Sequence, residues 1–508
     1  MRFRSLLAAC LLAAVPALVS AQASAEAETA AAIARIEKLN PQLNAVIAVD
    51  PEALAHARAM DRGRTARGPL FGLPILIKDN IEVKGPLPTT AGSLALKDNV
   101  TGRDAPLVAR LRAAGAVVVG KTNLSEWANI RSSASISGWS AVGGQARNPH
   151  ALDRNACGSS SGSGVAVAAG MVTAAIGTET DGSITCPASI NGVVGLKPTV
   201  GLVSRTHIVP ISHSQDTAGP MTKDVRTAAR VLAAIAGSDP ADAATKDADT
   251  HVTDYPAALD AGALKGRRLG VLRFATGWSS HVDAVFEQAL AVLKAQGATL
   301  VDIREFEDRS RIGREELTVL LTELKADLNK YLATTPPAVT TRTLADLIAF
   351  NKANADDELA LFGQETFEKA EATKGLDDPD YKAARALSFQ MAGPGGIDRM
   401  LAANDVAALV FPTDPPAWKI DAVNGDQISG GGAGGLAAVA GYPHLTVPMG
   451  AVRRMPVGLS FVGPAWSEAR LLAFGYAFEQ AAKIALTPGL LPSIEDAPDV
   501  AKHLKPIR

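Results

Sequence analysis

Lysine and serine residues capable of acid–base and nucleophilic chemistry occur at three places between residues 73 and 184. Lys78 ends the apolar run Leu73–Ile77, which places it at the end of a predicted strand with its stem in the core. Ser159 lies in a Gly/Ser-rich segment, and Ser183 ends a turn of small residues after a short predicted strand. A neutral lysine can act as the base for a serine nucleophile. The residue types favour acyl transfer, although their spacing alone does not show that the segments meet.

Two of these segments also have an interpretation that involves no chemistry. A lysine at a strand end often only extends its stem over the core and keeps its amine in water. A Gly/Ser-rich segment is typical of a flexible linker. Here the apolar helical run Val165–Met171 follows without a break, which argues against a linker. The turn 180–183 would offer successive backbone N–H groups to an oxyanion.

Residues 115–122 match the phosphate-loop pattern G-x-x-x-x-G-K-[ST] letter for letter. The four intervening residues are Ala-Val-Val-Val, which predict a buried strand and not a loop with exposed amides. Leu107, Val108 and Leu111 predict a helix just before this segment. A phosphate loop must follow a strand, so the order of helix, turn and strand argues against ATP binding.

Residues 158–162 match the G-x-S-x-G nucleophile elbow of α/β-hydrolases. That elbow requires a buried strand directly before the motif. The preceding residues 148–155 form a polar loop instead. The match is therefore not an elbow, although its serines remain candidates for catalysis.

The same residues resemble a known family. Three blocks are similar to the signature of the amidase signature family: Lys78, Gly158–Ser163 and Asp181–Ile184. The serine spacing, 183 − 159 = 24, also agrees with that family. Further similar segments are Gly120–Ala128, Gly195–Thr199 and Pro456–Leu459. The resemblance thus extends over nearly the whole chain from Ile33 onward.

The chain departs from the common form of that family at three positions. Cys157 and Ser161 stand where many members have glycine, and Asp181 replaces the first glycine of a Gly-Gly-Ser sequence. Three segments resemble instead the peptide amidase branch of the family: Asn123–Asn129, Thr178–Ser183 and Ser388–Asp398. None of the departures affects Lys78, Ser159 or Ser183.

The resemblance implies a role for each of the three residues. Ser183 would form the acyl-enzyme, Ser159 would pass on its proton, and Lys78 would be the base that later returns the proton to the leaving ammonia. The backbone amides that would form the oxyanion hole are those of Thr180, Asp181, Gly182 and Ser183. The family also implies a cis peptide bond between Gly158 and Ser159, and no cofactor.

A lysine that acts as a base near neutral pH must be uncharged there. Its pKa would have to fall from about 10.4 to about 7, which corresponds to about 4.6 kcal/mol. Burial within the apolar run can supply this change. An ion pair with the neighbouring Asp79 would oppose it. We therefore predict that the Asp79 carboxylate points away from the Lys78 amine.

For the whole chain, the resemblance implies a single large α/β domain over residues 22–508, with a mixed, twisted β-sheet covered by helices. Predicted strands at 268–272 and 298–302 flank a predicted helix at 282–293, which is a βαβ pattern. Residues from about 310 to 400 are charged and predicted to be mainly helical. In the family such a region shapes the substrate entrance.

The favoured activity is hydrolysis of the C-terminal carboxamide of peptides, with release of ammonia through an acyl-enzyme. The alternatives are a broad-specificity amidase for small aliphatic or aryl amides, the glutamine-hydrolysing component of a tRNA-dependent amidotransferase, and a catalytically silent secreted binding protein. The intact Lys78, Ser159 and Ser183 argue against the silent protein. The expected partner is a small-molecule or peptide amide, and the oligomeric state is not predicted.

The net charge and the spacing of the histidines indicate whether nucleic acid or a metal ion is expected to bind. The 50 basic and 52 acidic residues give a net charge of −2, so there is no electrostatic reason to expect nucleic acid. The eight histidines include no H-E-x-x-H pattern and no cluster at zinc-ligand spacing, so we expect no metal site.

Residues 1–21 are typical of a secretory signal peptide. Arg2 and Arg4 precede the apolar run 6–19, which is too short to span a bilayer. Small residues suit cleavage after Ala21 or Ala23. We therefore expect an exported protein, periplasmic or secreted, without membrane association after cleavage. Such a location argues against the amidotransferase component, because tRNA is cytosolic.

Cleavage of the signal peptide would leave two cysteines, Cys157 and Cys186, each beside a proposed catalytic segment. In an oxidising compartment they could form a disulfide. They could equally pack as separate small buried residues. The sequence leaves both alternatives open.

Overall fold

The computed structural model describes residues 24–63, 67–307 and 309–504. The predicted signal peptide lies outside these residues. Within them, no helix combines the length and the apolar character needed to cross a membrane.

A mixed β-sheet forms the centre of the molecule. The strands in the described residues are β1 (Val46–Val49), β2 (Pro74–Lys78), β3 (Val117–Thr122), β4 (Trp139–Ser140), β5 (Gly144–Gln145), β6 (Ala174–Glu179), β7 (Val194–Lys197), β8 (Thr217–Thr222), β9 (Arg268–Leu272), β10 (Thr299–Ile303), β11 (Ala408–Pro412), β12 (His444–Val452) and β13 (Met455–Val462). Eleven of them pair in the order β1-β3-β2-β6-β8-β7-β12-β13-β11-β9-β10, and β4 pairs with β5 separately. β2 is parallel to β3 and β6, and β9 is parallel to β10 and β11. The remaining pairs in the large sheet are antiparallel.

Helices cover both faces of this sheet. Those in the described residues are α1 (Ala25–Leu43), α2 (Ala53–Arg62), α3 (Pro106–Ala113), α4 (Ser161–Ala168), α5 (Thr185–Asn191), α6 (Val225–Ile235), α7 (Ala248–His251), α8 (Ser280–Ala295), α9 (Arg309–Leu332), α10 (Leu344–Ala353), α11 (Ala355–Glu358), α12 (Glu365–Glu371), α13 (Pro379–Ala392), α14 (Arg399–Asn404), α15 (Gly434–Ala440), α16 (Glu468–Ala482) and α17 (Pro498–Ala501). The region from about 310 to 400 contains α9–α13. The prediction of a single α/β domain with a mixed, helix-covered sheet is confirmed.

Alternate residues of the central strands belong to different cores. Ile75 and Ile77 of β2 pack in one apolar cluster with α3, α6, α8 and α16. Leu76 between them packs in another with α1, α2 and α4. A strand buried on both faces has a continuous apolar sequence, which is the pattern seen before Lys78. Since parallel strands end at the same edge of a sheet, the C-terminal ends of β2 and β6 lie side by side.

The segment that matches the phosphate-loop pattern contributes a strand to the sheet. Its apolar residues form β3, and α3 precedes them, in the predicted order of helix, turn and strand. The Gly/Ser-rich segment likewise follows loop structure and leads directly into α4, as predicted.

A disulfide joins Cys157 to Cys186, which decides between the two alternatives left open by the sequence. Cys157 directly precedes Gly158, and Cys186 lies in the first turn of α5, three residues after Ser183. The bridge therefore ties the Gly/Ser-rich segment to the turn that carries Ser183.

Loss of this bridge should lower the free energy of unfolding. The cysteines are 29 residues apart, and closing a loop of that length restricts the unfolded chain by about 3 to 4 kcal/mol on the chain-entropy model. We expect the variant Cys157→Ser/Cys186→Ser to unfold with about 2 to 4 kcal/mol less free energy than the oxidised protein. Urea unfolding with and without reductant measures the difference. Reductant should shift the wild-type curve and leave the double variant unchanged, and a wild-type curve insensitive to reductant would contradict the expectation.

Candidate active site

Lys78 lies at the end of β2 with no solvent exposure. Its Nζ is 2.6 Å from Ser159 Oγ, 2.8 Å from Thr178 Oγ1 and 3.3 Å from Thr178 O. A neutral amine has two N–H donors and one lone pair. If the two N–H groups donate to the two oxygens of Thr178, the lone pair faces the Ser159 hydroxyl, which is the geometry of a general base.

The pKa of Lys78 supports this geometry. Burial lowers it well below the ordinary value for lysine, because the charged form loses its hydration. The negative charges of Asp216 and Glu179 act in the opposite direction and raise it. Burial is the larger effect, so the net shift of the Lys78 pKa is in the direction that favours the neutral amine.

Asp79 does not pair with Lys78. Its Oδ1 lies 3.0 Å from Lys121 Nζ, and its Oδ2 accepts hydrogen bonds from the backbone N–H and the hydroxyl of Thr90. The prediction that the Asp79 carboxylate points away from the Lys78 amine is confirmed. Lys121, from the segment that imitates a phosphate loop, thus neutralises the acid that would otherwise hold Lys78 charged.

Two residues that position Lys78 were not identified from the sequence. Thr178 on β6 contacts its amine directly, and Asn80 Nδ2 donates to Thr178 Oγ1 at 3.0 Å. The sequence feature that could have indicated either residue was its position, because each is a polar residue near the end of a buried strand. Without knowing that β6 lies beside β2, nothing connected Thr178 to Lys78.

Ser159 follows a cis peptide bond with Gly158, as the family resemblance implies. A Cβ atom on Gly158 would lie 2.0 Å from Ser125 Oγ, so a larger residue here would displace the Ser125 side chain. The Ser159 carbonyl accepts a hydrogen bond from Ser125 N at 3.0 Å. These contacts hold the Ser159 hydroxyl against Lys78.

Ser183 is 8% exposed and lies between β6 and α5. Its carbonyl accepts from Ser160 N at 3.1 Å, which joins the two serine segments through their main chains. Within the described residues its hydroxyl makes no hydrogen bond, and the Ser159 hydroxyl contacts Lys78 and not Ser183. The structure therefore brings Lys78 and Ser159 together and leaves the Ser183 hydroxyl free.

The turn before Ser183 is suited to bind an anion. Gly182 has φ +76° with no atom near its missing Cβ, so glycine is needed there for conformation and not for space. In the described part of the chain, the backbone N–H groups of residues 180–183 donate to no other group. Successive free amides in such a turn form a concavity for negative charge.

Two carboxylates, the buried Glu179 and the half-buried Asp216, hold this turn. Glu179 Oε2 accepts from Ile184 N at 2.8 Å and Thr185 N at 2.9 Å, on the far side of Ser183. Thr180 Oγ1 donates to Asp216 Oδ1 at 2.6 Å. Burial raises the pKa of Asp216 to about 6. Glu179 and Asp216 are functional candidates that the sequence analysis missed.

Asp216 is itself fixed by its loop. Its Oδ2 accepts from Ile211 N at 2.8 Å and Ser212 N at 2.9 Å. The loop between β7 and β8 therefore supports the turn that carries Ser183 through a single carboxylate.

Asp181 lies in the turn before Ser183 and is accessible to solvent, although protein surrounds its carboxyl group. Its side chain lies beside Gly435 of α15, because a Cβ on that glycine would be 3.3 Å from Asp181 Oδ2. Burial and the nearby Glu179 charge raise the pKa of Asp181 to about 6.

His213, Glu323 and Asp327 form a cluster whose atoms are close enough to share a metal ion. His213 Nδ1 lies 2.8 Å from Asp327 Oδ2, and Nε2 lies 3.3 Å from Glu323 Oε1. Glu323 also accepts from Tyr381 and Ser214. The hydrogen bond that His213 makes to Asp327 raises the pKa of His213, and the charges of Glu323 and Asp327 raise it further. The imidazole of His213 therefore lies between two carboxylates that favour its charged form.

Comparison with known proteins identifies the family of the chain. The family model Amidase matches residues 27–472. The crystal structure of native peptide amidase from Stenotrophomonas maltophilia is 51% identical with a TM-score of 0.88, and the match covers 92% of this chain and 96% of that one.

Two curated relatives are also similar over most of their length. An Arabidopsis thaliana protein named "Probable amidase" is 40% identical over 89% of this chain and 86% of its own. A chain of the glutamyl-tRNA(Gln) amidotransferase of Roseiflexus sp. is 36% identical over 89% of this chain and 92% of its own. The chain therefore belongs to the amidase signature family of serine hydrolases, which cleave amide C–N bonds.

Proposed function

We propose that this amidase removes the C-terminal carboxamide of peptides by means of Ser183, Ser159 and Lys78. The observation that carries the proposal is the 2.6 Å contact between Lys78 Nζ and Ser159 Oγ, made by a fully buried amine beside the turn that carries Ser183. The similarity to the Stenotrophomonas peptide amidase, over nearly the full length of both chains, supports a peptide amide as substrate.

In the first half of the reaction, Ser183 Oγ attacks the carboxamide carbon. Its proton passes to Ser159, whose own proton passes to Lys78. The oxyanion is held by the free N–H groups of residues 180–183, and one such donor typically contributes about 3 to 4 kcal/mol to the transition state. The C–N bond then breaks as the proton returns through Ser159 to the leaving nitrogen, which departs as ammonia.

In the second half, water attacks the Ser183 ester, and its proton follows the same route to Lys78. Collapse of the second tetrahedral intermediate returns the proton to Ser183 and releases the free acid. The water supplies the oxygen of the new carboxylate. No cofactor takes part in either half.

Family membership removes the silent binding protein from the alternatives. A broad-specificity amidase for small aliphatic or aryl amides remains the second candidate. We propose that α9–α13 shape the substrate entrance. These helices would then determine whether the enzyme acts as a peptide amidase or as a broad-specificity amidase for small amides.

A substrate panel tests the assignment. Ammonia release is measured from a peptide amide, its free acid, glutamine and a simple aryl amide. We expect the peptide amide to be the best substrate, with Ser183→Ala reducing its kcat/KM by about 1,000-fold or more. Ser280→Ala, an exposed serine at the start of α8, is the matched control and should retain full activity. Turnover of the aryl amide without the peptide amide would contradict the peptide assignment.

The pH profile tests Lys78 as the base. Activity requires the neutral amine, so kcat/KM should fall as pH decreases through the pKa of Lys78 and stay level above it. Asp216→Asn removes a negative charge that raises this pKa, so the acid limb should move to lower pH. Asp98 is exposed, so Asp98→Asn is the control and should leave the acid limb of the pH profile unchanged. A limb that moves to higher pH in Asp216→Asn would count against the assignment.

We also propose that the chain is exported with cleavage after Ala21 or Ala23. Either cleavage leaves Ser24, whose Oγ accepts from Ala27 N and caps α1. N-terminal sequencing of protein recovered from the periplasm or medium should therefore begin at Gln22 or Ser24. Recovery of uncleaved protein from the cytosol alone would contradict this.

A further inference from the structure

Glu323 is a carboxylate of α9 that lies against the loop between β7 and β8 with no solvent exposure. Its Oε2 accepts hydrogen bonds from Ser212 Oγ and from Ser214 N, and its Oε1 accepts one from Ser214 Oγ. A buried carboxylate is costly unless hydrogen bonds compensate for its lost hydration. The loop supplies three such donors, so the carboxylate and the loop hold each other in place.

Charged and polar groups around this contact hold the same part of the loop. Tyr381 of α13 donates to Glu323 Oε1 at 2.7 Å. His213 Nε2 lies 3.3 Å from the same oxygen, and His213 Nδ1 lies 2.8 Å from Asp327 Oδ2. Arg385 Nε of α13 donates to the loop itself, at Ser214 Oγ. Residues 212–214 are therefore fixed to α9 and α13.

The same loop also contacts the turn that carries Ser183. Asp216 Oδ1 accepts from Thr180 Oγ1 at 2.6 Å, and Asp216 Oδ2 accepts from Ser212 N at 2.9 Å. Ser212 thus donates its backbone N–H to Asp216 and its hydroxyl to Glu323. One buried serine joins the carboxylate on α9 to the carboxylate that holds Thr180.

Gln215 makes a second connection between α9 and this turn. Its Nε2 donates to Glu316 Oε1 at 2.8 Å and to Thr180 O at 3.4 Å. Glu316 and Glu323 are 323 − 316 = 7 residues apart, or about two helical turns, so they lie on the same face of α9. That face of α9 is therefore the support against which the loop is placed.

We propose that Glu323 is a positioning residue for amide hydrolysis, which holds residues 212–214 against α9 and thereby keeps Asp216 in place beside Thr180. The inference rests on the proposed reaction at Ser183 and Lys78. Glu323 acts through Asp216 and does not touch the reacting atoms. Asp216 in turn holds the oxyanion turn, and its charge raises the pKa of Lys78. Displacement of Asp216 would therefore change both the rate and the pH profile.

The variant Glu323→Gln tests the position of the loop. The amide has one acceptor oxygen and one N–H₂ group, so it cannot accept from the donors that face both carboxylate oxygens. We expect kcat to fall about 10-fold or more with KM within about threefold of wild type, because the turn is misplaced while the entrance remains. Glu37→Gln, at an exposed residue of α1, is the matched control and should retain full activity.

The pH profile and a double-mutant cycle test whether Glu323 acts through Asp216. A displaced Asp216 raises the pKa of Lys78 less, so the acid limb of Glu323→Gln should move to lower pH, as in Asp216→Asn. In the Asp216→Asn background, Glu323→Gln should lower kcat by less than about threefold and leave the limb where it is. Losses that multiply would show that the two residues act independently, and would overturn the inference.

Two further results would also overturn the inference. One is a folded Glu323→Gln with wild-type kcat and an unmoved acid limb. The other is a lower unfolding temperature as the only change, which would make the role of Glu323 merely structural. If Glu323→Gln does not fold, Ser212→Ala removes one loop donor and should change kcat and the limb in the same directions.

The experiment separates this inference from the proposed function. The substrate is whichever amide of the panel is hydrolysed, so failure of the peptide assignment leaves every comparison in place. An acid limb that Asp216→Asn does not move would count against Lys78 as the base. The kcat values of the double-mutant cycle would still decide whether Glu323 acts through Asp216.

Discussion

The amine of Lys78 is buried at the end of a central strand, where hydration cannot stabilise its charge. This constraint explains much of the surrounding structure. Asp79, the next residue, would restore the charge if it paired with Lys78, and Lys121 prevents this by occupying its carboxylate. The amine is left with hydroxyl and carbonyl partners, which can hold a neutral amine in place without charging it. Burial and these partners together favour the neutral amine that the proposed reaction requires.

The turn that carries Ser183 has backbone amides suited to an anion, although two carboxylates hold it in place. Glu179 accepts hydrogen bonds from the residues after the turn, Asp216 accepts one from Thr180, and the amides of residues 180–183 remain free among the described residues. The same two carboxylates raise the pKa of Lys78 against the effect of burial. They therefore limit how far burial lowers this pKa, and they also hold the turn that we propose binds the oxyanion.

The two serine segments come from different parts of the chain and are joined by three kinds of contact. Ser160 N donates to the Ser183 carbonyl. The Ser160 hydroxyl donates to the Thr178 carbonyl and accepts from the Thr178 N–H. The Cys157–Cys186 disulfide is the third contact. The hydrogen bonds of Ser160 do not involve either cysteine. The bridge thus reinforces an arrangement that the hydrogen bonds define.

The sequence by itself determined the local features of this protein. Continuous apolar runs identified β2 and β3 as buried strands, and motif order excluded a phosphate loop at residues 115–122. Lys78, Ser159 and Ser183 could be named because their residue types and spacing resemble a family signature. The roles of Thr178, Asn80 and Asp216 could not be identified from the sequence, because each role depends on which strand or loop lies beside the residue. Strand neighbours, ion-pair partners and cysteine pairing are long-range contacts, and only the tertiary structure decides them.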